Sequence, residues 1–246
     1  MMLPSLLGGV CTVVATLAVN SAVNMLQTYN TLSSFSSSSA SDAPPSLQTV
    51  NAHPLNEYLT SNGRQAIVDP SKSVEDIVDD MKLMSRRDLL ELWLRCESPP
   101  PIDIQGDWNG ALLDNNGPVM TTVSTILTDL CFGRGRKWAG KSFRSSEGIN
   151  RFSPRRHKNR QQLEHQHQFD LSVERSRLDP KGESLTLRYS NYQRRLSLWR
   201  SMRDEVRVLR LDGEGRGVLI GLGCMKWSGA LWRDGMMNSS PFCLFR

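Results

Sequence analysis

The chain has 246 residues, a formal charge of +5, 39% hydrophobic side chains and 18 glycines. That balance suits one folded domain with extensions, and it excludes a wholly disordered chain, a collagen repeat or a coiled-coil rod. The charge is unevenly spread: residues 1–41 carry none, residues 42–115 hold 13 acidic and 6 basic side chains, and residues 116–246 hold 12 and 24.

Residues 1–32 form an uncharged apolar leader, with LLGGVCTVVATLAV running from Leu6 to Val19. Its length and small residues fit a targeting segment for a plastid or another organelle, although no basic residue precedes the apolar run. The alternative is a membrane anchor over residues 3–26, which approaches the span a bilayer needs but carries Asn20 and Asn24. Residues 33–72, with the Ser-rich tract Ser33 to Ser46, read as a disordered linker.

Residues 73–101 read as a helical preface. Ser73 with Asp76, and Ser85 with Asp88, are two capping boxes in succession. Val74, Ile77, Val78 and Met81 make one apolar stripe, and Leu89, Leu90, Trp93 and Leu94 make a second. Pro99, Pro100 and Pro101 stop the second helix. The pair reads as a lid or plug for the domain on its C-terminal side.

From residue 102 to 246 the pattern is that of strands. Ile102 to Leu112 and Lys137 to Phe143 are strands with glycine bends, separated by a helix or long loop over Thr121 to Phe132. Alternation is clearer at Phe169, Leu171 and Val173, and at Leu185, Leu187 and Tyr189. Val206 to Leu211 and Val218 to Leu222 flank the turn signal Asp212 to Gly215, and Phe242 to Arg246 closes the chain. About seven to nine such strands imply a mainly β fold, an antiparallel barrel or strongly curved sheet of lipocalin-like form, preceded by two short helices. An Arg-, Gln- and His-rich stretch around residues 154–168 looks inserted into it.

The span from Val74 to Arg246 resembles the GXWXG and DUF4334 domains. The signature is Gly106-Asp107-Trp108-Asn109-Gly110, and the second landmark is Trp138-Ala139-Gly140-Lys141-Ser142-Phe143. Gly221-Leu222-Gly223-Cys224-Met225 and Phe242-Cys243-Leu244-Phe245-Arg246 match the family's ending. A looser likeness links the chain to lipocalins and other calycins, whose first strand carries a Gly-x-Trp and whose last strand supplies an arginine over that ring. The resemblance implies structural roles for Gly106, Trp108, Gly110, Trp138, Gly140, Phe143 and Arg246, with Trp108 and Arg246 as a stacked pair. It implies no activity.

Motifs of common chemistry are missing. There is no nucleophile elbow, P-loop or CxxC, and the five cysteines are scattered. His165 and His167 share a face if they lie on a regular strand, but without a third ligand nearby they are read as solvated, and no metal or other cofactor is expected. Gly133 to Lys137 is the nearest thing to an anion-binding nest. Asp107 alternates with Trp108 and so faces solvent. The Arg clusters interleave with Tyr189, Tyr192 and Trp199, yet nucleic acid is the weaker reading of the basic half.

The function expected is binding of a small apolar or amphipathic ligand in the barrel, with Arg134, Arg136 and Lys141 at its mouth to orient a polar end. The first alternative is an enzyme of isomerase or cyclase type using the same cavity, which would need an inward ionisable group such as Asp107, Glu205 or His165. The second is an accessory protein that binds a protein partner or an anionic membrane surface through an exposed apolar patch.

Overall fold

The computed structural model describes residues 22–34, 55, 58, 66, 68–154, 163–195, 197–225, 236 and 238–246. Eight antiparallel strands follow one another around a closed barrel: β1 (Gly106–Leu112), β2 (Trp138–Phe143), β3 (Glu147–Phe152), β4 (Glu164–Arg175), β5 (Glu183–Arg188), β6 (Met202–Leu211), β7 (Gly217–Met225) and β8 (Ser240–Phe245). Closure is made by β1 against β8, with Asn109 opposite Phe245 and Leu112 opposite Phe242. Every strand therefore has two partners, and no edge is left to template pairing with another chain. Residues 164–168 of the stretch read as inserted lie in β4, and residues 155–162 lie outside the described residues.

Strand alternation divides the apolar residues into two cores. One fills the barrel: Trp108, Phe143, Phe152, Phe169, Leu185, Leu187, Val206, Leu219, Phe242 and Leu244 point inward, joined by Ile104 and Phe132 from the connections. The other lies outside it. Helices α2 (Val74–Leu83) and α3 (Arg86–Leu94) lay Ile77, Met81, Leu89 and Trp93 against Val218, Ile220, Leu222 and Cys243 on the outer face of β7 and β8. Each large apolar side chain buried this way contributes about 1.5–3 kcal/mol.

Both helices start at the capping boxes expected. Ser73 Oγ accepts from the Asp76 amide, Ser85 Oγ accepts from the Asp88 amide, and each Asp side chain returns the bond. The two helices do not lie over the barrel's opening, so the lid reading is corrected: their apolar stripes find the outer wall of the sheet. Arg207 fixes this packing. Its guanidinium stacks 4.0 Å from the Trp93 ring centroid and donates to the Trp93 and Leu94 carbonyls at the end of α3, and to Asp179.

Residues 22–34 are helical (α1), with Asn24, Thr28 and Thr31 on the buried side. The buried Arg86 donates to the Asn24 carbonyl and Thr28 Oγ1, and also to the Ser239 carbonyl, which ties α1 to the start of β8. The membrane alternative is corrected for the described residues, among which no helix is long and apolar enough to cross a membrane. Residues 1–21 of the leader lie outside the described residues.

The end at which β1 begins is closed by Trp108. Its indole Nε1 donates to the Ile104 carbonyl at 2.7 Å, and the Arg246 guanidinium sits 4.4 Å from the ring centroid. Arg246 also donates to the Gly215 carbonyl at 2.5 Å and to the Gln105 carbonyl, so it fastens the last strand to the β6–β7 turn and to the entry of β1. Two glycines have a steric reason to be glycine. Gly140 has φ +128°, and a Cβ there would fall 2.0 Å from the Trp108 carbonyl oxygen. A Cβ on Gly110 would fall 2.6 Å from the Trp138 ring, which lies across that strand.

Candidate functional site

The opposite end, where β1, β3, β5 and β7 finish, carries the longer connections. Helix α4 (Pro118–Ile126) runs into a π-helical turn, Leu127–Phe132, and this segment links β1 to β2. Its last residue, Phe132, drops into the barrel's aromatic cluster. The ring stacks on His167 with centroids 4.0 Å apart and meets Trp199 edge-on at 4.9 Å and Phe152 at 5.7 Å. Val119, Ile126, Leu127 and Leu130 stay exposed along the same segment.

Below Phe132 the barrel holds a buried polar cluster. Lys141 on β2 is 2% exposed, Asn150 on β3 and Tyr189 beyond β5 are fully buried, and Asp204 on β6 is 2% exposed. Lys141 Nζ donates to Asn150 Oδ1 at 2.8 Å, to Tyr189 OH at 2.8 Å and to Asp204 Oδ2 at 2.9 Å. Tyr189 OH donates in turn to Asp204 Oδ2 at 2.8 Å. Asn150 Nδ2 donates to Tyr189 OH and to the His167 carbonyl, while Trp138 Nε1 donates to Asn150 Oδ1. The ammonium is walled by four rings, Phe169, Phe242, Tyr189 and Trp138, with centroids 5.1–5.6 Å away.

The cluster is charge-balanced, one ammonium against one carboxylate, and its hydrogen bonds close on themselves. The three donors of Lys141 each have an acceptor, and the Tyr189 hydroxyl gives one bond and takes two. Burial pulls the Lys141 pKa below its ordinary value against the pull of Asp204. Burial, reinforced by the Asp204 charge, pushes Tyr189 well above its ordinary value. Tyr189 is thus held neutral as a hydrogen-bond donor beside an ionic pair from which water is excluded.

The expected site residues fall in three places. Lys141 lies inside the barrel rather than at its mouth. Arg136 lies at the mouth and is only 3% exposed; its Nε donates to the Gly133 carbonyl at 2.8 Å, its Nη1 pairs with Glu164, and it lies over the Phe152 ring. Arg134 is exposed and has φ +53°. The nest reading of this loop is corrected: the amides of Gly133, Gly135 and Arg136 turn back to the Thr128 and Asp129 carbonyls and cap the π-helical turn.

The three acidic or imidazole groups named for inward projection do not project inward. Asp107 is exposed and faces Arg151. Glu205 is fully buried but on the outer side of β6, where it accepts from Ser176, Ser184 and the Arg177 amide. Its neighbour Asp204 holds the inward position. His165 is exposed, and the two histidines do not share a face, because β4 carries a bulge at His167, where φ is +55° and the register with β3 shifts. His167 Nε2 lies 2.8 Å from the Phe132 carbonyl, which can only accept, so this nitrogen carries the proton and Nδ1 accepts from Gln193. Burial holds the His167 pKa below 6.5, and the nearby Arg134 and Arg136 charges act in the same direction.

No protein-family model matches the chain, and no curated protein matches it. Among solved structures, a crystal structure of a protein from Thermomonospora curvata aligns with a TM-score of 0.43 and 16% identity, over 66% of this chain and 88% of that one.

Proposed function

We propose that the barrel binds a small apolar or amphipathic ligand in its upper half, between the Lys141–Asp204 cluster and the Phe132 plug, without catalysis. The observation that carries this reading is a charged, fully hydrogen-bonded cluster set inside an otherwise apolar barrel rich in aromatic rings. A barrel needing only stability would gain from apolar residues at these positions, since a buried ion pair is often no better than a well-packed hydrophobic substitute. Eight strands enclose enough width for side chains or for one small ligand. Aromatic walls with a few convergent polar groups are what such a site requires. Phe132 closes the mouth from a π-helical turn, a geometry frequent at functional sites. Kinship with the GXWXG and DUF4334 domains rests on the motifs at Gly106 to Gly110 and Trp138 to Phe143 alone, since no family model matches the chain.

The test is native mass spectrometry of the full chain before and after organic extraction, followed by titration of the extracted protein with anilinonaphthalene sulfonate. A stoichiometric apolar compound released by the solvent, or one equivalent of probe bound with enhanced fluorescence, is the expected result. An empty protein that also leaves the probe dark refutes the reading.

The Asp204, Tyr189 and Lys141 contacts favour a second reading, an isomerase or cyclase in which Asp204 takes up a substrate proton and the Tyr189 hydroxyl exchanges its bond to Asp204 for one to a substrate oxygen. In that case Tyr189→Phe would abolish turnover of the compound recovered by extraction while leaving its binding intact.

A further inference from the structure

Inside the barrel, Lys141, Tyr189 and Asn150 have their hydrogen bonds committed to one another and to Asp204, Trp138 and the His167 carbonyl. A ligand carboxylate reaching that depth would meet an ammonium already neutralised, next to the like charge of Asp204. Along the barrel's interior, an unused donor is found at the mouth. Arg136 is 3% exposed, and its Nη2 is buried with no hydrogen-bond partner, although Nε and Nη1 are both engaged. A buried guanidinium nitrogen without an acceptor is destabilising, and an unexplained one points to a missing group.

The surroundings favour an anion. Arg134 is two residues away on the same loop, and both guanidinium charges act on His167 in the same direction. The carboxylates nearby are Glu164, which takes Nη1 only, and Asp129, which accepts from the Trp138 amide. Arg136 also lies over Phe152, part of the aromatic lining, with Phe132 and Trp199 adjoining it. A charged head at Nη2 would therefore have its apolar tail directed at aromatic rings.

We infer that Arg136 receives the head of an amphipathic monocarboxylate through its free Nη2, with the tail entering the barrel past Phe132. With Nε donating to the Gly133 carbonyl and Nη1 paired with Glu164, Nη2 is the one guanidinium nitrogen that remains, which suits one carboxylate better than the multipoint contact a phosphate group takes. This inference rests on the barrel being a container.

The experiment is calorimetric titration of the full chain with sodium octanoate and, separately, with octan-1-ol, which has the same chain length and no charge. Wild type should take one equivalent of octanoate. Arg136→Gln should weaken octanoate roughly ten- to hundredfold, the range for one charge-assisted hydrogen bond, and leave octan-1-ol unchanged. Glu164→Gln, which frees Nη1 and keeps the cation, should tighten octanoate and covers the case in which Arg136→Gln fails to fold. Equal binding of the two compounds with no response to either substitution overturns the inference and leaves the container reading standing. Failure of both compounds to bind removes the container reading and the inference with it.

Discussion

Replacing Lys141 by methionine removes one partner of a buried ion pair while keeping an unbranched chain only one atom shorter. Asp204, 2% exposed, would then keep its carboxylate out of water with the Tyr189 hydroxyl as its side-chain donor, and Tyr189 and Asn150 would each lose a contact at 2.8 Å. Removing one member of such a pair costs about 3–5 kcal/mol, because the other charge is left uncompensated. Urea unfolding followed by tryptophan fluorescence should show the midpoint falling by roughly 2 M at the slopes usual for small domains. The double variant Lys141→Met, Asp204→Asn removes both charges and keeps an amide beside Tyr189, so it should recover most of the loss. A cost below about 1 kcal/mol for the single variant, or a double variant as damaged as the sum of its parts, would refute the claim that the cluster is dry and ionic.

Three further substitutions probe other parts of the account. His167, whose pKa burial holds below 6.5, stays neutral in the folded state while the unfolded chain takes up a proton. Its contribution to stability is therefore intact above pH 6.5 and is lost as the pH falls through the depressed folded value, and the drop in urea midpoint between pH 8 and pH 5 should shrink in His167→Gln. Gly140→Ala places a Cβ 2.0 Å from the Trp108 carbonyl oxygen at φ +128°, and should destabilise by roughly 2–5 kcal/mol in the same assay. Arg246→Ala removes the ring stack on Trp108 and the bonds to Gly215 and Gln105; a loss of about 1–3 kcal/mol is expected, with little rescue by lysine, which lacks the planar fork. An unchanged unfolding midpoint in either variant would contradict the role given to that residue.

Local signals were legible in the sequence and long-range placement was not. The caps at Ser73 and Ser85 depend on residues three apart, and both helices begin there. Whether those helices cover the mouth or the outer wall depends on which sheet face has matching apolar residues, a choice that chain order does not express. Strand β3 was missed because two of its three inner positions are Gly148, beneath the Phe169 ring, and Asn150, in the polar cluster, so Phe152 alone marks the inner face. The inward place of Asp204 did leave a trace: it is in phase with Val206, whereas Glu205, singled out from the sequence, is in phase with the outer face. The bulge at His167 leaves no comparable mark, since histidine is not a residue that announces a positive φ. Trp108 and Arg246, paired through the Gly-x-Trp resemblance, do meet in the structure.

The central claim, a ligand held inside the barrel above Lys141, is tested most directly by two-dimensional NMR of the indole N–H signals during titration with octanoate. Trp138 and Trp199 belong to the barrel's inner cluster, whereas Trp93 is buried between α3 and the outer wall. The account predicts that the Trp138 and Trp199 resonances shift and saturate at one equivalent while Trp93 stays fixed. Saturable binding that leaves the Trp138 and Trp199 indoles unmoved would place the ligand elsewhere and contradict the account.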